Sequence, residues 1–165
     1  MATEHNTASP GDLDWLRRTF RLAGEARAAG RHPFGSIVVD GDGRAVAEAG
    51  NNALPPDGDP TQHAELIAAS HAARLLPASR LAQCTLYSSA EPCCMCAGAI
   101  YWCRIGRVVY ALSEGRLLGL TGSHPENPTL SLSCRRVFAS GQHPVAVIGP
   151  LLEEEAAAVH AGFWR

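Results

Sequence analysis

Residues 91–103 read EPCCMCAGAIYWC and contain four of the six cysteines in the chain. Pro92 is typical of a first helical position, so the sequence predicts a helix that begins here and carries the cysteines in its first turns. Four uses of these cysteines are open at this point. They could form a redox pair, close a structural metal site, hold a catalytic metal, or pack as small apolar residues on a buried helix.

A second predicted helix start lies about thirty residues upstream, in DPTQHAE at 59–65. Asp59 suits the N-cap and Pro60 the first helical position, and the pattern continues to about Leu75. This helix start carries His63 and Glu65. Two helix starts with metal-binding side chains therefore flank the strand predicted at 84–89.

The spacing favours a catalytic metal. Cys93 and Cys96 are three residues apart and share a face of a helix, and the positive end of the helix dipole favours their thiolate forms. His63 supplies a third ligand, which leaves a tetrahedral zinc with one open position for water.

Two alternatives stay open on spacing alone. A structural site needs a fourth ligand, and the remaining cysteines offer it at positions 84, 94, 103 and 134. The second alternative is a redox pair formed by the two cysteines of the CxxC motif. Spacing also has a limit, because His63 and Glu65, two residues apart, lie about 200° apart on a regular helix. His63 and Glu65 can face one metal only if the metal pocket lies around the end of the helix rather than along one side of it.

The flanking patterns predict an α/β fold. A helix is expected from Asp12 to about Ala29, followed by strands at 34–40 and 44–50 joined by a hairpin turn at 41–43. Further strands are expected at 84–89, 106–112 and 144–150, and residues 151–164 close the chain as a helix. This alternation predicts a three-layer α/β/α sandwich around a mixed sheet of about five strands. Residues 1–11 are expected to be a flexible tail and 12–165 a single domain.

Composition narrows the functional class. The 165 residues are 46% apolar and 18% charged, with a net charge of −2 and arginine as the only basic residue besides histidine. The sequence contains no stripe of basic residues of the kind that binds nucleic acid, and it contains no apolar run long enough to span a membrane. The polar, acidic start of the chain favours the cytoplasm, where clustered cysteines indicate metal or catalysis more often than disulfides.

His-x-Glu followed by Pro-Cys-x-x-Cys resembles the signature of the zinc-dependent nucleobase deaminases. The resemblance implies a cytidine deaminase-like fold with one Zn²⁺ per chain, bound by His63, Cys93 and Cys96. It implies that Glu65 is not a ligand but moves a proton from water to the ring nitrogen and then to the leaving amine. It further implies a small-molecule nucleobase substrate and a homodimer.

Within this superfamily, PFGSIVV, the loop before His63 and AIYW after the cysteines look most like bacterial guanine deaminases. The resemblance then implies that the base is contacted by five residues: Asn52, Ala64, Trp102, Phe34 and Glu126. Glu126 is the nearest match to a second acidic residue of those enzymes, with Glu114 as a rival. The aromatic pair Phe163 and Trp164 either covers a partner's active site or ends a packed helix.

The predicted reaction is hydrolysis of guanine to xanthine and ammonia. The alternatives are deamination of a nucleoside, cytosine, an aminated triazine or adenosine in tRNA. A non-enzymatic zinc-binding module is disfavoured, because a structural site has no use for a general base such as Glu65.

Overall fold

A computed structural model describes residues 7–165, and the first half of the expected tail, residues 1–6, lies outside the described residues. Five strands form one mixed sheet in the order β2-β1-β3-β4-β5. Strand β1 is antiparallel to β2 and β3, whereas β3, β4 and β5 are parallel. The strand bounds are β1 Gly35–Val39, β2 Ala45–Gly50, β3 Thr85–Ala90, β4 Arg107–Leu112 and β5 Ala146–Ile148.

Seven helices accompany the sheet in the described part of the chain. They are α1 Pro10–Ala28, α2 Ala64–Leu75, α3 Ala78–Leu81, α4 Cys94–Trp102, α5 Glu114–Thr121, α6 Cys134–Ala139 and α7 Glu153–Ala158. Among these residues, no helix combines the length and hydropathy that crossing a bilayer requires. The sequence patterns did not predict α3, α5 and α6, which are short, and the predicted closing helix is reduced to α7.

Side chains that alternate along the strands build two cores. Val38, Leu86 and Val108 pack on one face of the sheet with residues of α2, α3, α4 and α6. Ile37 and Val109 face the other side with residues of α1, α5 and α7. Because successive strand residues point to opposite faces, both faces of the central strands are apolar. The predicted three-layer sandwich with a five-stranded mixed sheet is confirmed.

A buried ion pair fixes α1 against the strands. Both carboxylate oxygens of Asp12 accept hydrogen bonds from the guanidinium of Arg107 at 2.9 and 2.8 Å, and Tyr87 Oη donates to Asp12 at 2.7 Å. Asp12 also completes a capping box with Ser9, so α1 begins at Pro10, two residues before the predicted start.

The two helices that carry the metal motifs begin later than predicted. His63 is the N-cap of α2, with φ −70° and ψ 149°, and Cys93 is the N-cap of α4, with φ −63° and ψ 169°. Asp59 instead closes a tight turn by accepting from the Thr61 N–H at 2.8 Å. Because His63 has an extended backbone, the 200° separation expected within a regular helix does not apply. His63 and Glu65 can therefore face the same point.

Candidate active site

Three side chains converge at the N-terminal ends of α2 and α4. His63 Nδ1 lies 3.6 Å from Cys93 Sγ and 3.6 Å from Cys96 Sγ, and all three donor atoms lie within 4.8 Å of one another. Tetrahedral zinc, with Zn–N and Zn–S bonds of about 2.0 and 2.3 Å, sets nitrogen and sulfur about 3.6 Å apart. The donor atoms therefore fit one zinc ion.

The thiols share the negative charge unequally. A hydrogen bond from Cys96, reinforced by His63, lowers the pKa of Cys93 to about 4. Donation of that hydrogen bond, together with burial, raises the pKa of Cys96. The hydrogen bond to Cys93 raises the pKa of His63. The surroundings of Cys93 thus favour its thiolate, the form that binds metal.

Cys94 is not part of this cluster. It is the first residue of α4, and the metal-binding group within the described residues contains only His63, Cys93 and Cys96. None of the six cysteines, all of which are described, forms a disulfide. Three ligands, with no fourth among the described residues, define an open site rather than a closed structural one.

Glu65 lies next to the ligands without being one of them. Its side chain is buried, Ser88 Oγ donates to one carboxylate oxygen at 3.1 Å, and Cys96 Sγ lies 3.8 Å from the other. Burial raises the pKa of Glu65. A buried carboxyl group with a raised pKa is suited to general acid–base catalysis.

The ligands open onto two connected spaces. An inner cavity of about 40 Å³ lies between Glu65, Phe34 and Leu117, and an outer cleft of about 520 Å³ lies between the loops at 53–60 and 125–130. His63, Cys93, Glu114 and Asn127 line both. The inner cavity has room for a few water molecules. An aromatic base bound at the metal therefore extends into the outer cleft.

Asn51, rather than Asn52, lines the inner cavity. Asn51 is 2% exposed, and its Oδ1 accepts from the Ala53 N–H at 2.9 Å, which leaves Nδ2 as the donor available to a ligand. Asn52 Nδ2 donates to Gln62 and to the Asp57 carbonyl, away from the cavity. The structure thus differs from the expectation for Asn52 by one position.

Of the two acidic candidates, Glu114 is the one nearer the ligands. It lines both spaces, its carboxylate makes no hydrogen bond within the described residues, and burial together with the negative charge of Cys93 raises its pKa to about 7. Glu126 lines only the outer cleft, is 52% exposed, and lies 2.9 Å from His32 Nε2.

Trp102 does not line either space, contrary to the expectation. It is 79% exposed and lies at the C-terminal end of α4, beside Tyr101 and His143. Trp102 comes six residues after Cys96 in α4, and a rise of 1.5 Å per residue places it about 9 Å further along the helix axis. Ala64 is the first residue of α2, and its side chain is fully buried. Its backbone N–H has no hydrogen-bond partner within the helix, so this group is the one that Ala64 can offer to a ligand.

Phe34 lines the inner cavity and is backed by the C-terminal aromatic residues of its own chain. The ring centroids of Phe34 and Trp164 lie 6.2 Å apart, and those of Phe34 and His160 lie 5.2 Å apart. Trp164 also contacts His124, in the loop that walls the outer cleft, at 5.3 Å. Within one chain, the C-terminal segment thus packs behind the substrate cavity.

The sequence of residues 10–112 matches the family described as the cytidine and deoxycytidylate deaminase zinc-binding region. The chain belongs to this family, and zinc is its cofactor. Its fold is accordingly of the predicted cytidine deaminase-like type, and its reaction class is that of a zinc-dependent deaminase.

A probable cytosine deaminase of Schizosaccharomyces pombe is 43% identical over 158 residues, which cover 94% of this chain and 94% of that protein. A guanine deaminase of Bacillus subtilis is 47% identical over 98 residues, or 59% of this chain and 62% of that protein. The solved guanine deaminase of Nitrosomonas europaea shares 27% identity with a TM-score of 0.71, covering 96% of this chain and 86% of that one. One of these relatives is named for cytosine and the other two for guanine. Family membership therefore defines the reaction class but not the base that is deaminated.

Proposed function

We propose that the protein hydrolyses the exocyclic amine of a free nucleobase, with Glu65 as the proton carrier. The observation that carries the proposal is the buried carboxylate of Glu65, directly beside a three-ligand metal site that opens onto a cavity. A structural zinc site has four closed ligands and needs no such group.

The chain's residues match the steps of the reaction. Hydrolysis adds the oxygen of water to the amine-bearing carbon and releases ammonia. Bound zinc supplies the Lewis acidity that makes water a nucleophile near neutral pH. Glu65 takes a proton from water, gives it to the ring nitrogen, and later returns a proton to the departing amine. Phe34 and Leu117 wall the inner cavity and exclude bulk water.

Asn51 supports a base with a ring carbonyl. Its Oδ1 is occupied by the Ala53 N–H, so Nδ2 is oriented to donate to a carbonyl oxygen of the substrate. Cytosine and guanine each carry such a carbonyl, whereas adenine does not. A site built around this donor should reject a base that lacks the acceptor.

We place cytosine first and guanine second. The similarity over almost the full length of a probable cytosine deaminase supports cytosine. Of the features that favoured guanine in the sequence, Trp102 and Glu126 do not line the inner cavity. The likeness to guanine deaminases keeps guanine as the second candidate. A net charge of −2 weighs against a tRNA substrate.

A substrate panel tests this proposal. Ammonia release should be measured with zinc-loaded protein on cytosine, guanine, adenine, cytidine and guanosine, and kcat/KM compared under one set of conditions. We expect cytosine to be the best substrate and adenine to be inactive. A nucleoside preferred over every free base would contradict the proposal, and guanine as the best substrate would reverse the ranking within it.

We also propose that the protein is a homodimer. Trp102 is a largely exposed aromatic side chain at the end of α4, beside the half-buried Tyr101, and exposed apolar surface is typical of interfaces. Sedimentation should give twice the chain mass, and Trp102→Ala should weaken the association. Leu75, 65% exposed on a different helix, provides the matched control as Leu75→Ala. A monomeric wild-type protein would refute the proposal.

The cytoplasm and a single catalytic domain complete the proposal; the domain was predicted over residues 12–165, and the Ser9 cap of α1 extends it to residues 9–165. Six cysteines outside disulfides support a reducing compartment. Cell fractionation tests the location, and limited proteolysis tests whether residues 9–165 resist cleavage as one unit.

A further inference from the structure

Glu91 is a buried carboxylate next to the metal motif whose role the reaction does not explain. It is 7% exposed, and it makes no ion pair within the described part of the chain. Burying a carboxylate costs free energy unless hydrogen bonds compensate for its lost hydration. The contacts of Glu91 therefore indicate what its burial achieves.

Each oxygen of this carboxylate binds a different helix start. Oε2 accepts from the backbone N–H of Glu114, the first residue of α5, at 3.0 Å. Oε1 accepts from the backbone N–H of Cys134, the first residue of α6, at 3.1 Å. One side chain thus holds the beginnings of α5 and α6 next to each other.

The chain between these two attachment points forms one side of the substrate space. It contains Glu114 and Leu117, which line the inner cavity, and residues 125–130, which line the outer cleft. We call residues 122–133 the cleft loop. Its backbone hydrogen bonds are local, as in Asn127 to His124 and Leu132 to Leu130, and none pairs with the sheet. The position of this loop therefore depends on its two ends and on a few side-chain contacts.

Glu91 also connects this wall to the metal ligands. Its backbone N–H donates to the Leu112 carbonyl at 2.7 Å, which continues the pairing of β3 with β4, and Cys93 follows two residues later. The side chain that holds the cleft loop therefore belongs to the same rigid segment as a zinc ligand.

We propose that Glu91 is a positioning residue that fixes the cleft loop relative to the metal and so sets the affinity for the base. Glu91 also lines the inner cavity, but both of its carboxylate oxygens are held by backbone N–H groups, so Glu91 acts through Glu114 and the loop rather than on the reacting atoms. The proposal deepens the proposed function, because its kinetic consequence requires that the protein deaminates a base.

Two substitutions at Cys134 isolate the hydrogen bond. Cys134→Pro removes the backbone N–H that Glu91 accepts, and a proline fits the first helical position. Ser133, with φ −63° and ψ 144°, already has the conformation that a residue before proline adopts. Cys134→Ala is the matched control, since it removes the thiol and keeps the N–H. Glu91→Gln is the third variant, since its amide can accept only one of the two N–H groups.

Hydrogen exchange and steady-state kinetics on the zinc-loaded variants test the proposal. In Cys134→Pro and Glu91→Gln, exchange of residues 122–133 should accelerate about 10-fold or more, as expected for loss of a hydrogen bond to a charged group. KM should rise by a similar factor, with kcat within about threefold and zinc content unchanged. Cys134→Ala should resemble wild type in both measurements.

The two readouts separate the inference from the proposed function. If Cys134→Pro matches Cys134→Ala in exchange and in KM, the positioning role of Glu91 is refuted, whatever the substrate. If kcat falls while KM and exchange stay unchanged, Glu91 acts on the chemistry instead, which also refutes it. If wild type deaminates no base, the proposed function fails, and the exchange rates alone decide the role of Glu91.

Discussion

The two walls of the substrate space are built in different ways. The inner wall consists of side chains at the starts of α2 and α4, where strand β3 and two helices hold them in a fully packed core. The outer wall consists of the loops at 53–60 and 122–133, which contain no helix or strand. We infer that the inner wall determines the reaction, and that the outer wall, together with Asn51 in the inner cavity, determines which base is accepted. Substitutions in the two walls should therefore affect different kinetic quantities.

The largest effect is expected at the metal ligands of the inner wall. Cys93→Ser should lose zinc and reduce turnover to background, because the hydroxyl does not ionise as the thiol does. Elemental analysis and ammonia release measure the two losses. Cys94→Ser is the matched control and should keep zinc and activity. Loss of zinc from both variants would show that the ligand set is wrong.

The next effect concerns the proton carrier. Glu65→Gln should keep zinc and fold but lower kcat by about 10²–10⁴-fold, because the amide cannot transfer a proton. Stopped assays with zinc-loaded protein measure kcat, and circular dichroism checks the fold. Wild-type turnover in this variant would remove Glu65 from the mechanism and weaken the assignment of the inner wall to chemistry.

A smaller effect should distinguish two neighbouring asparagines, of which only Asn51 lines the inner cavity. Asn51→Ala should lower kcat/KM by about 10–100-fold, the cost of one lost hydrogen bond in a buried site. Asn52→Ala, whose amide points to Gln62 and Asp57, should change kcat/KM by less than about threefold. The reverse order would restore the expectation for Asn52 and remove Asn51 from the substrate contacts.

The smallest effect on turnover is expected from a site that belongs to neither wall. Burial alone would raise the pKa of Asp12, but hydrogen bonds from Arg107, Ser9 and Tyr87 outweigh it and hold the pKa well below the usual range. Asp12→Asn should therefore lower the free energy of unfolding by about 1–3 kcal/mol at neutral pH, with kcat/KM unchanged.

The pH dependence of this difference follows from the direction of the shift. A carboxylate with a depressed folded pKa stabilises the protein above its unfolded pKa, and this stability is lost as the pH falls. The gap between wild type and Asp12→Asn should thus be largest near neutral pH and shrink below about pH 4. Thermal unfolding from pH 7 to pH 3 measures it, and a gap that is constant with pH would contradict the ion pair as its source.

The order of helices and strands and the metal motifs could be predicted from the sequence because they depend on local signals. Apolar periodicity located all five strands, and the CxxC spacing with an upstream histidine favoured the ligands that the resemblance to zinc deaminases then implied. The convergence of His63 and Glu65 could not be derived from spacing, because it requires that α2 begins at Ala64. The start of a helix depends on which backbone groups the tertiary structure pairs, and no count along the chain contains that information.

The substrate contacts were less predictable for a related reason. Between Asn51 and His63 the loop folds back so tightly that a side chain at Gly58 would clash with the Asn52 carbonyl. The spacing of eleven residues to the histidine selected Asn52, whereas Asn51 lines the inner cavity. Trp102 was assigned to the base pocket from its neighbours in sequence, but α4 carries it to the opposite end of the helix from the ligands.

The N-caps of the helices show what the metal does for the fold. Ser9, Ser113 and Ser133 cap α1, α5 and α6 with their own hydroxyl groups. His63 and Cys93 occupy the same position in α2 and α4, yet neither side chain caps its helix, because both are turned toward the ligand cluster. Loss of zinc would therefore leave two helix starts with neither a cap nor an anchor, so the first turns of α2 and α4 would fray together. Chelation should then change the cooperativity of unfolding, and the metal would count among the elements that organise the helical layer on one face of the sheet.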